Sequence, residues 1–333
     1  MHLNNLLDYS NFQQELFDFN KFSFEDKALA LFKLQYANNL VYKDFVDRMG
    51  YNPNEVNELT KIPFLPVGFF KSHSIIAEGY LPELVFESSG TTGMINSQHL
   101  VHDVSIYKQS FIEGFKQFYG NPEEWVIIGL LPAYLERQGS SLVYMVNDLI
   151  AFSKNTDSGF YLYEYEQLYQ LLLQLESKQQ KVLLIGVTFA LLDFSEQFEM
   201  NLKHTVIMET GGMKGRRKEM TRVEVHEQLI SRLGLQSIHS EYGMTEMLSQ
   251  GYSYGEGIFY PSKTMKVMIR SEDDPMEVQS MGTGIINVID LSNVYSCAFI
   301  ATEDVGRVYD DGRFEVRGRV DNSDIRGCSL LMV

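Results

Sequence analysis

The stretch Ser88-Ser89-Gly90-Thr91-Thr92-Gly93 lies between an apolar run at residues 84–86 and a segment of helical periodicity at residues 103–118. Its two glycines let the backbone turn tightly and approach a ligand closely. Its hydroxyl and main-chain N–H groups can then line a concave surface of the kind that binds phosphate oxygens. No Gly-Lys-Ser/Thr follows, so the stretch is not a Walker A loop. By itself it is also compatible with an ordinary polar surface loop.

A second segment, Ser240-Glu241-Tyr242-Gly243-Met244-Thr245-Glu246, favours the phosphate-binding interpretation. Together the two segments resemble the phosphate loop and the Tyr-Gly-x-Thr-Glu motif of the adenylate-forming enzymes, which couple a carboxylic acid to AMP. Two further matches follow in the family's order, Asp304 within residues 301–306 and Arg319 within residues 318–321. Each match is weak alone, but their common order along most of the chain makes the pattern specific.

Composition and charge restrict the partners of the protein. The 333 residues are 44% hydrophobic, which is enough for a sizeable core in one large domain or in two. The formal net charge of −16 and the pI of about 4.9 disfavour binding to a nucleic-acid backbone or to an anionic membrane surface. A phosphate site therefore needs a local cation, and residues 214–218 form the densest cationic cluster.

The cysteines and the N-terminal sequence indicate the compartment. Cys297 and Cys328 imply no disulfide framework, which fits a reducing environment. The first residues lack the basic start and apolar run of a signal peptide. No stretch approaches the ~18 apolar residues that span a bilayer. We therefore expect a cytoplasmic protein.

The hydrophobic pattern predicts an α/β fold in three consecutive segments. Residues 1–60 show helical spacing and predict a helical N-terminal segment. Residues 61–256 alternate apolar runs with helical stretches, which predicts an α/β core with a largely parallel sheet. Residues 257–333 carry short apolar runs separated by turn residues, which predicts a smaller β-rich lobe. The core strands are predicted at residues 125–131, 181–187 and 204–208, and the core helices at residues 140–151, 165–177 and 217–233.

The resemblance to adenylate-forming enzymes assigns roles to the matched residues, with ATP and Mg²⁺ as the implied cofactors. Thr245 would bond the α-phosphate, and Glu246 would hold Mg²⁺ through its carboxylate oxygens. Tyr242 would stack on adenine, and Asp304 would accept hydrogen bonds from the ribose hydroxyls. Gly211 follows a predicted core strand, where ligands of parallel sheets bind. The remaining predicted nucleotide-binding residues are Ser88, Ser89, Gly90, Thr91, Thr92, Gly93, Gly212 and Arg319.

A narrower resemblance concerns residues 209–216 followed by residues 241–246. This pair of segments is similar to the acyl-protein synthetases of the bacterial luciferase system, the fatty-acid-activating subunits of a fatty acid reductase. Residues 62–71 and the ending at residues 318–328 look similar to the same group. The resemblance runs from about residue 60 to the end, and the earlier residues share mainly helical character.

One departure from most adenylate-forming enzymes concerns the residues after Arg319. In those enzymes the Gly-Arg-x-Asp motif leads into a mobile C-terminal domain that brings a lysine to the acid. Here the sequence ends at Val333, so we expect this large domain and its lysine to be absent. Lys214 or Arg216 could supply the missing cation. The alternative is that their cluster is only the solvated start of a helix.

The same resemblance implies a role for Cys328, because acyl-protein synthetases pass the acyl group from acyl-AMP to a cysteine near the C-terminus. The thiolate is the competent nucleophile, and Arg326 would favour it. A tail near the chain end can move between an adenylate pocket and a partner surface. The alternative is a buried small hydrophobic residue, which is our interpretation of Cys297 in its apolar run.

These observations predict an ATP-dependent ligase that adenylates a fatty or other hydrophobic carboxylic acid and transfers the acyl group to a protein thiol. The predicted partners are the acid and an acyl-accepting reductase or carrier protein. One alternative is an enzyme with coenzyme A or carrier-protein phosphopantetheine as acceptor, as in the related phenylacetate ligases. Another is a non-catalytic subunit that binds a partner enzyme. The histidines form no metal-ligand pattern, so we expect no metal other than Mg²⁺.

Overall fold

The computed structural model of the protein describes residues 6–88, 95–132, 139–211 and 220–320. The helices, numbered in chain order, are α1 (Tyr9–Glu15), α2 (Phe24–Asn38), α3 (Leu40–Arg48), α4 (Phe69–Ser72), α5 (Val104–Tyr119), α6 (Ser141–Ser153), α7 (Tyr165–Ser177), α8 (Thr188–Gln197) and α9 (Arg222–Leu233). Short 3₁₀ helices lie at Pro53–Glu55, Leu59–Lys61 and Pro122–Glu124. The strands are β1 (Leu65–Pro66), β2 (Leu84–Glu87), β3 (Gln98–Val101), β4 (Val126–Leu130), β5 (Gly159–Tyr161), β6 (Val182–Val187), β7 (Thr205–Thr210), β8 (His239–Tyr242), β9 (Gly251–Ser253), β10 (Ile258–Pro261), β11 (Met265–Arg270), β12 (Val278–Gln279), β13 (Gly282–Asp290), β14 (Phe299–Val308) and β15 (Phe314–Arg319).

The elements predicted for the core are present, α7 with the predicted ends and the others with shifted ends. The predicted strands correspond to β4, β6 and β7, and the first two predicted helices correspond to α6 and α7. Helix α9 begins at Arg222, later than the predicted residue 217, because Thr221 and Glu224 form a capping box at that point. Within the described residues, no helix combines the length and the apolar character that a membrane span requires.

The chain divides into two compact units that each combine separate parts of the sequence. The first unit comprises Met1–Phe111, Gly243–Gln250 and Pro261–Val316, and the second comprises Ile112–Tyr242, Gly251–Tyr260 and Arg317–Val333. This division differs from the three consecutive segments of the sequence prediction. The physical reason lies in long-range hydrogen bonds within the first unit, which join its N-terminal helices to residues beyond β13.

In the first unit, mostly antiparallel strands form the larger sheet. Their order is β12-β11-β13-β14-β15, and β1 pairs in parallel with β14. The Gln35 amide of α2 donates hydrogen bonds to the main-chain oxygens of Asn293 and Val294, at 2.7 and 3.0 Å. A separate antiparallel hairpin pairs β2 with β3, and its connection contains the Ser/Thr/Gly stretch. Strands β11 to β15 fall within residues 257–333 and confirm the β-rich region that the sequence predicted, whereas β1, β2 and β3 precede it.

In the second unit, the strand order is β10-β9-β8-β7-β6-β4-β5. The strands from β5 to β8 pair in parallel, and β9 is antiparallel to β8. All residues of β4 and β6 are buried, as is typical of parallel strands covered on both faces. The predicted, largely parallel sheet is therefore confirmed. Because β7 and β8 are parallel neighbours, their carboxyl ends lie side by side.

Candidate active site

Thr245 and Glu246 lie on Gly243–Gln250, a segment of the first unit that is neither helix nor strand. Within it, the N–H of Met247 donates to the carbonyl oxygen of Met244 at 3.0 Å and closes a turn. The side chain of Glu246 is buried, and Thr245 is partly exposed. Because no regular ladder fixes this segment, the direction of both side chains depends on what holds the turn.

The buried carboxylate of Asp290 holds the second half of this segment. Its Oδ2 atom accepts from the N–H groups of Leu248 and Ser249, at 2.6 and 3.1 Å. Its Oδ1 atom accepts from the Ser249 hydroxyl at 2.6 Å and from the Ser292 N–H at 3.0 Å. Burial raises the pKa of Asp290, and the bonds from these residues oppose that rise. Both oxygens are thus supplied with donors, which makes the carboxylate an anchor for the main chain.

Two other buried side chains hold the first half of the segment. The Asn293 amide donates to the main-chain oxygen of Glu246 at 2.8 Å. The Nδ1 atom of His99 lies 2.8 Å from the main-chain oxygen of Thr245. Because a carbonyl oxygen only accepts, we assign the proton to Nδ1. His99 belongs to β3, so this bond joins Thr245 to the hairpin that contains the predicted phosphate loop.

Ser88 closes this hairpin at the base of the predicted phosphate loop. Its N–H donates to the carbonyl oxygen of Ser97 at 3.0 Å, and the N–H of Ser97 donates to the Ser88 hydroxyl at 2.8 Å. The Ser88 side chain therefore shapes the base of the loop. The other predicted loop residues lie outside the described residues, and their role stays a prediction. They are Ser89, Gly90, Thr91, Thr92 and Gly93.

Asp304 lies where β13 and β14 lose their register. Residues 285–287 of β13 face residues 301–305 of β14, so β14 bulges at this point. The Thr302 hydroxyl donates to the carbonyl oxygen of Ile286 at 2.8 Å and accepts from the N–H of Asp304 at 3.1 Å. Bulges re-aim side chains and are frequent beside active sites. The bulge in β14 thus lies at Asp304, the residue predicted to hold the ribose. The Asp304 side chain is buried.

In the second unit, Gly211 and Tyr242 meet at the carboxyl ends of β7 and β8. The hydroxyl of Thr210, the last residue of β7, donates to the Glu241 carboxylate at 2.8 Å and links the two ends. Gly211 has a φ of +74°, in the left-handed region that favours glycine. The buried Tyr242 ring packs against Phe259 with centroids 5.9 Å apart. The rule on strand ends predicted a site at Gly211, and the family motif predicted one at Tyr242; the contact of either residue with adenine stays a prediction.

Two carboxylates at the same strand ends had no role in the sequence prediction. Glu209 is buried and accepts from the hydroxyls of Ser240 and Thr188, at 2.8 and 3.2 Å. The Nε2 atom of His226 lies 3.7 Å from Glu209. Loss of solvation raises the pKa of Glu241 to about 7, and the charge of Glu209 adds to the rise while a threonine hydroxyl opposes it. Glu241 therefore titrates near neutral pH.

Of the remaining residues predicted for the active site, the structure describes some and not others. Arg319 is the last residue of β15. Cys297 is fully buried, and burial raises its pKa to about 12, so its thiol is not available as a nucleophile. Gly212, Lys214 and Cys328 lie outside the described residues, and their roles stay predictions.

The donor groups of the first unit fit a nucleotide and Mg²⁺ in chemical type. Mg²⁺ prefers hard oxygen ligands and is commonly held by one or two carboxylates together with phosphate oxygens. Glu246 offers a carboxylate on a fixed turn, and Asp304 offers another acceptor for hydroxyl donors. In the part of the chain that the structure describes, no three His, Cys, Asp or Glu side chains form a metal-holding group.

Solved structures of low sequence identity share this fold. A 2-hydroxyisobutyryl-CoA ligase in complex with 2-HIB-AMP and CoA has a TM-score of 0.65 and 10% identity, over 89% of this chain and 69% of that chain. O-succinylbenzoate coenzyme A synthetase (MenE) from Bacillus subtilis, in complex with AMP, has a TM-score of 0.50 and 13% identity, over 74% of this chain and 64% of that chain. The class is therefore defined: this chain has the fold of the adenylate-forming ligases.

A family comparison narrows this class. The family model described as acyl-protein synthetase, LuxE, matches residues 7–333, and the chain belongs to this family. The match includes the N-terminal helices, where sequence analysis found only helical character. A comparison with curated proteins gives no match. Family and fold together identify an acyl-adenylating enzyme.

Proposed function

We propose that this chain is an ATP-dependent acyl-protein synthetase that adenylates a fatty or other hydrophobic carboxylic acid and transfers the acyl group to a protein cysteine. The observation that carries the proposal is the family match over residues 7–333. The first unit supports it, because the turn bearing Thr245 and Glu246 is held by buried side chains and is bonded to the phosphate hairpin. A subunit that only binds a partner does not require such a fixed turn.

In the first half-reaction, a carboxylate oxygen of the acid attacks the α-phosphorus of ATP, and the bond to pyrophosphate breaks. Ser88 and the loop after it cradle the phosphates, and the Thr245 hydroxyl donates to the α-phosphate. Glu246 would hold Mg²⁺, and the ion would supply positive charge to the phosphate oxygens. Such a reaction gains most of its rate from positioning and from fixed charges, so a fixed turn serves it directly.

The nucleotide is held by residues from the same family pattern. Adenine stacks on Tyr242, whose ring is buttressed by Phe259. We assign Gly211 and Gly212 to the base as well, because glycine lets a main chain approach a ligand closely. Asp304 accepts hydrogen bonds from the ribose hydroxyls, and the bulge in β14 supports this role. We assign Arg319 to the nucleotide site on its motif alone.

In the second half-reaction, the thiolate of Cys328 attacks the acyl carbonyl carbon. The carbon–oxygen bond to AMP breaks, and AMP leaves with the electron pair. Arg326 favours the thiolate, and Lys214 supplies a cation beside the acid. The acyl group then passes from Cys328 to a reductase or carrier protein, which we place with this enzyme in the cytoplasm.

One experiment tests both halves of the proposal. A panel of carboxylic acids, from long-chain to aromatic, is scored by ATP-dependent release of pyrophosphate, and labelled acid is then followed on the protein. We expect release with hydrophobic acids without coenzyme A, and a protein-bound label that neutral hydroxylamine cleaves. If the protein is not labelled and product formation depends saturably on coenzyme A, the acyl acceptor is coenzyme A and not a protein cysteine. Absence of release with every acid would favour a binding subunit.

Exchange of the thiol separates the two half-reactions. Cys328→Ser replaces a group that ionises near neutral pH with one that does not, so the hydroxylamine-sensitive label should disappear while acyl-AMP still forms. Cys297→Ser is the matched control and should leave labelling intact, because the Cys297 thiol is buried. Full labelling of Cys328→Ser would remove the carrier role from this residue.

A further inference from the structure

His99 joins two parts of the first unit that lie far apart in the sequence. It is fully buried on β3, directly opposite Phe86 of β2. Its Nδ1 atom meets the main-chain oxygen of Thr245, 146 residues further along the chain, at 2.8 Å. The ring of Phe70 stands edge-on to the imidazole, at 5.8 Å between centroids and 88° between planes. Packing and hydrogen bonding therefore restrict the imidazole to one orientation.

The imidazole donates to the main chain of Thr245 through Nδ1. Burial lowers the pKa of His99, against the opposing effects of its bond to Thr245, the charge of Glu246 and a hydrogen bond with Asn293. With the proton on Nδ1, the Nε2 atom carries the lone pair. A histidine kept for packing alone would not need this directional bond, which ends on the residue before Glu246.

This bond anchors one of the two sides of the turn. Asp290 and Asn293, at the end of β13 and just after it, hold the main chain from Glu246 onwards. His99 holds the main chain at Thr245 and comes instead from the hairpin that contains the phosphate loop. Without His99, the turn keeps its anchors near β13 and loses this direct bond to the hairpin.

We propose that His99 is a positioning residue for acid activation, which keeps Thr245 and Glu246 in register with the phosphate-binding hairpin. This inference rests on the proposed function, because it concerns the phosphate-handling residues of that reaction. A displacement of about 1 Å in such groups can cost about 100-fold in rate. The hydrogen bond does not involve the acid, so its loss should lower kcat and leave the KM for the acid nearly unchanged.

Three variants on β3 separate positioning from packing. His99→Phe keeps a ring in the core and removes the donor. His99→Asn is the conservative variant, because its amide N–H can occupy the place of Nδ1 and donate to Thr245. Val101→Ala controls for lost stability, because Val101 is the next buried residue on the same strand and makes no side-chain hydrogen bond.

Acid-dependent ATP–pyrophosphate exchange and amide hydrogen exchange are measured on the wild type and the three variants. We expect His99→Phe to lower kcat by about 10- to 100-fold and to accelerate amide exchange at residues 243–250. His99→Asn should recover most of both properties, and Val101→Ala should show neither change. Equal losses of kcat in His99→Phe and Val101→Ala would reduce His99 to a packing residue and overturn the inference.

Amide exchange requires no turnover, so the two proposals fail in different ways. Unchanged amide exchange at residues 243–250 in His99→Phe overturns the positioning role, whatever the activity of the wild type. A wild type that is inactive with every acid, combined with accelerated amide exchange in His99→Phe, overturns the proposed function and still supports the coupling of hairpin and turn.

Discussion

The turn around Thr245 in the first unit and the strand ends around Glu241 in the second both contain carboxylates withdrawn from water. Asp290 receives donors on both oxygens, three of them main-chain N–H groups. Glu241 receives the Thr210 hydroxyl and lies near a like charge on Glu209. The comparison shows that the neighbouring groups, and not burial alone, determine whether a buried carboxylate anchors the main chain or titrates near neutral pH. Asp290, which is supplied with donors on both oxygens, organises the main chain. Glu241 has lost its solvation, receives only a threonine hydroxyl and lies near a like charge, so it titrates near neutral pH.

The largest effect is expected when the negative charge of Glu246, which lies on the turn, is removed. Glu246→Gln keeps the shape of the side chain and removes the negative charge proposed to hold Mg²⁺. We expect the rate of acyl-AMP formation to fall by about 100- to 1000-fold, or about 2.7–4 kcal/mol of transition-state stabilisation. Glu272→Gln, at an exposed position of the same unit, is the charge-matched control. A near-native rate in a folded Glu246→Gln variant would refute our assignment of Glu246.

Removal of the Asp290 carboxylate, which anchors the turn, should have an effect of nearly the same size on the free energy of unfolding. Asp290→Ala leaves the N–H groups of Leu248, Ser249 and Ser292 without their acceptor, at a cost of about 1–3 kcal/mol for each buried group. We expect the free energy of unfolding in urea to fall by about 3 kcal/mol. Asp290→Asn keeps one oxygen and should lose less. The exposed Asp273→Ala should change little, and an equally small effect at Asp290 would contradict its role as an anchor.

The strand ends should instead respond to pH. Glu241 has a pKa of about 7 in the folded protein, against 4.5 for an ordinary glutamate. The folded state therefore binds more protons than the unfolded state between these values, and stability falls as pH rises through this window. We expect Glu241→Gln, which stays uncharged, to gain about 2 kcal/mol relative to the wild type between pH 5 and pH 8.

Urea unfolding at several pH values measures this gain. The exposed residue Glu227 on α9 supplies the matched control, and Glu227→Gln should differ from the wild type by a nearly constant amount. A flat difference for Glu241→Gln as well would show that Glu241 is ionised across the whole range. The proposed difference between the turn around Thr245 and the strand ends around Glu241 would then be refuted.

The smallest expected effect concerns the hold on the ribose. Asp304→Ala removes the carboxylate proposed to accept charge-assisted hydrogen bonds from the ribose, and we expect the KM for ATP to rise at least about tenfold, or about 1.4 kcal/mol. Arg307→Ala on the same strand is the control, because Arg307 is exposed. An unchanged KM for ATP in Asp304→Ala would show that Asp304 does not bind the nucleotide and only contributes to the structure of the bulge.

The fold was largely predictable from the sequence, and the site only in part. Apolar runs such as residues 181–187 and helical periodicity such as residues 165–177 carry their own signal, because burial and local spacing act within a few residues. The position of Gly211 just after a parallel strand also followed from the apolar run before it. By contrast, His99, Asp290 and Asn293 were not predicted, although Asp290 and Asn293 stand out as polar residues beside an apolar strand.

The sequence alone determined the motifs, the alternation of elements and the family pattern, because these depend on residue order and short-range spacing. Only the tertiary structure decided which side chains hold the turn, since the bond from His99 to Thr245 spans 146 residues. It also decided that Glu241 titrates near neutral pH, because that pKa depends on lost solvation and on the charge of Glu209 on another strand. Hydrogen-bond partners and pKa values are set by distances in space, and residue order does not contain those distances.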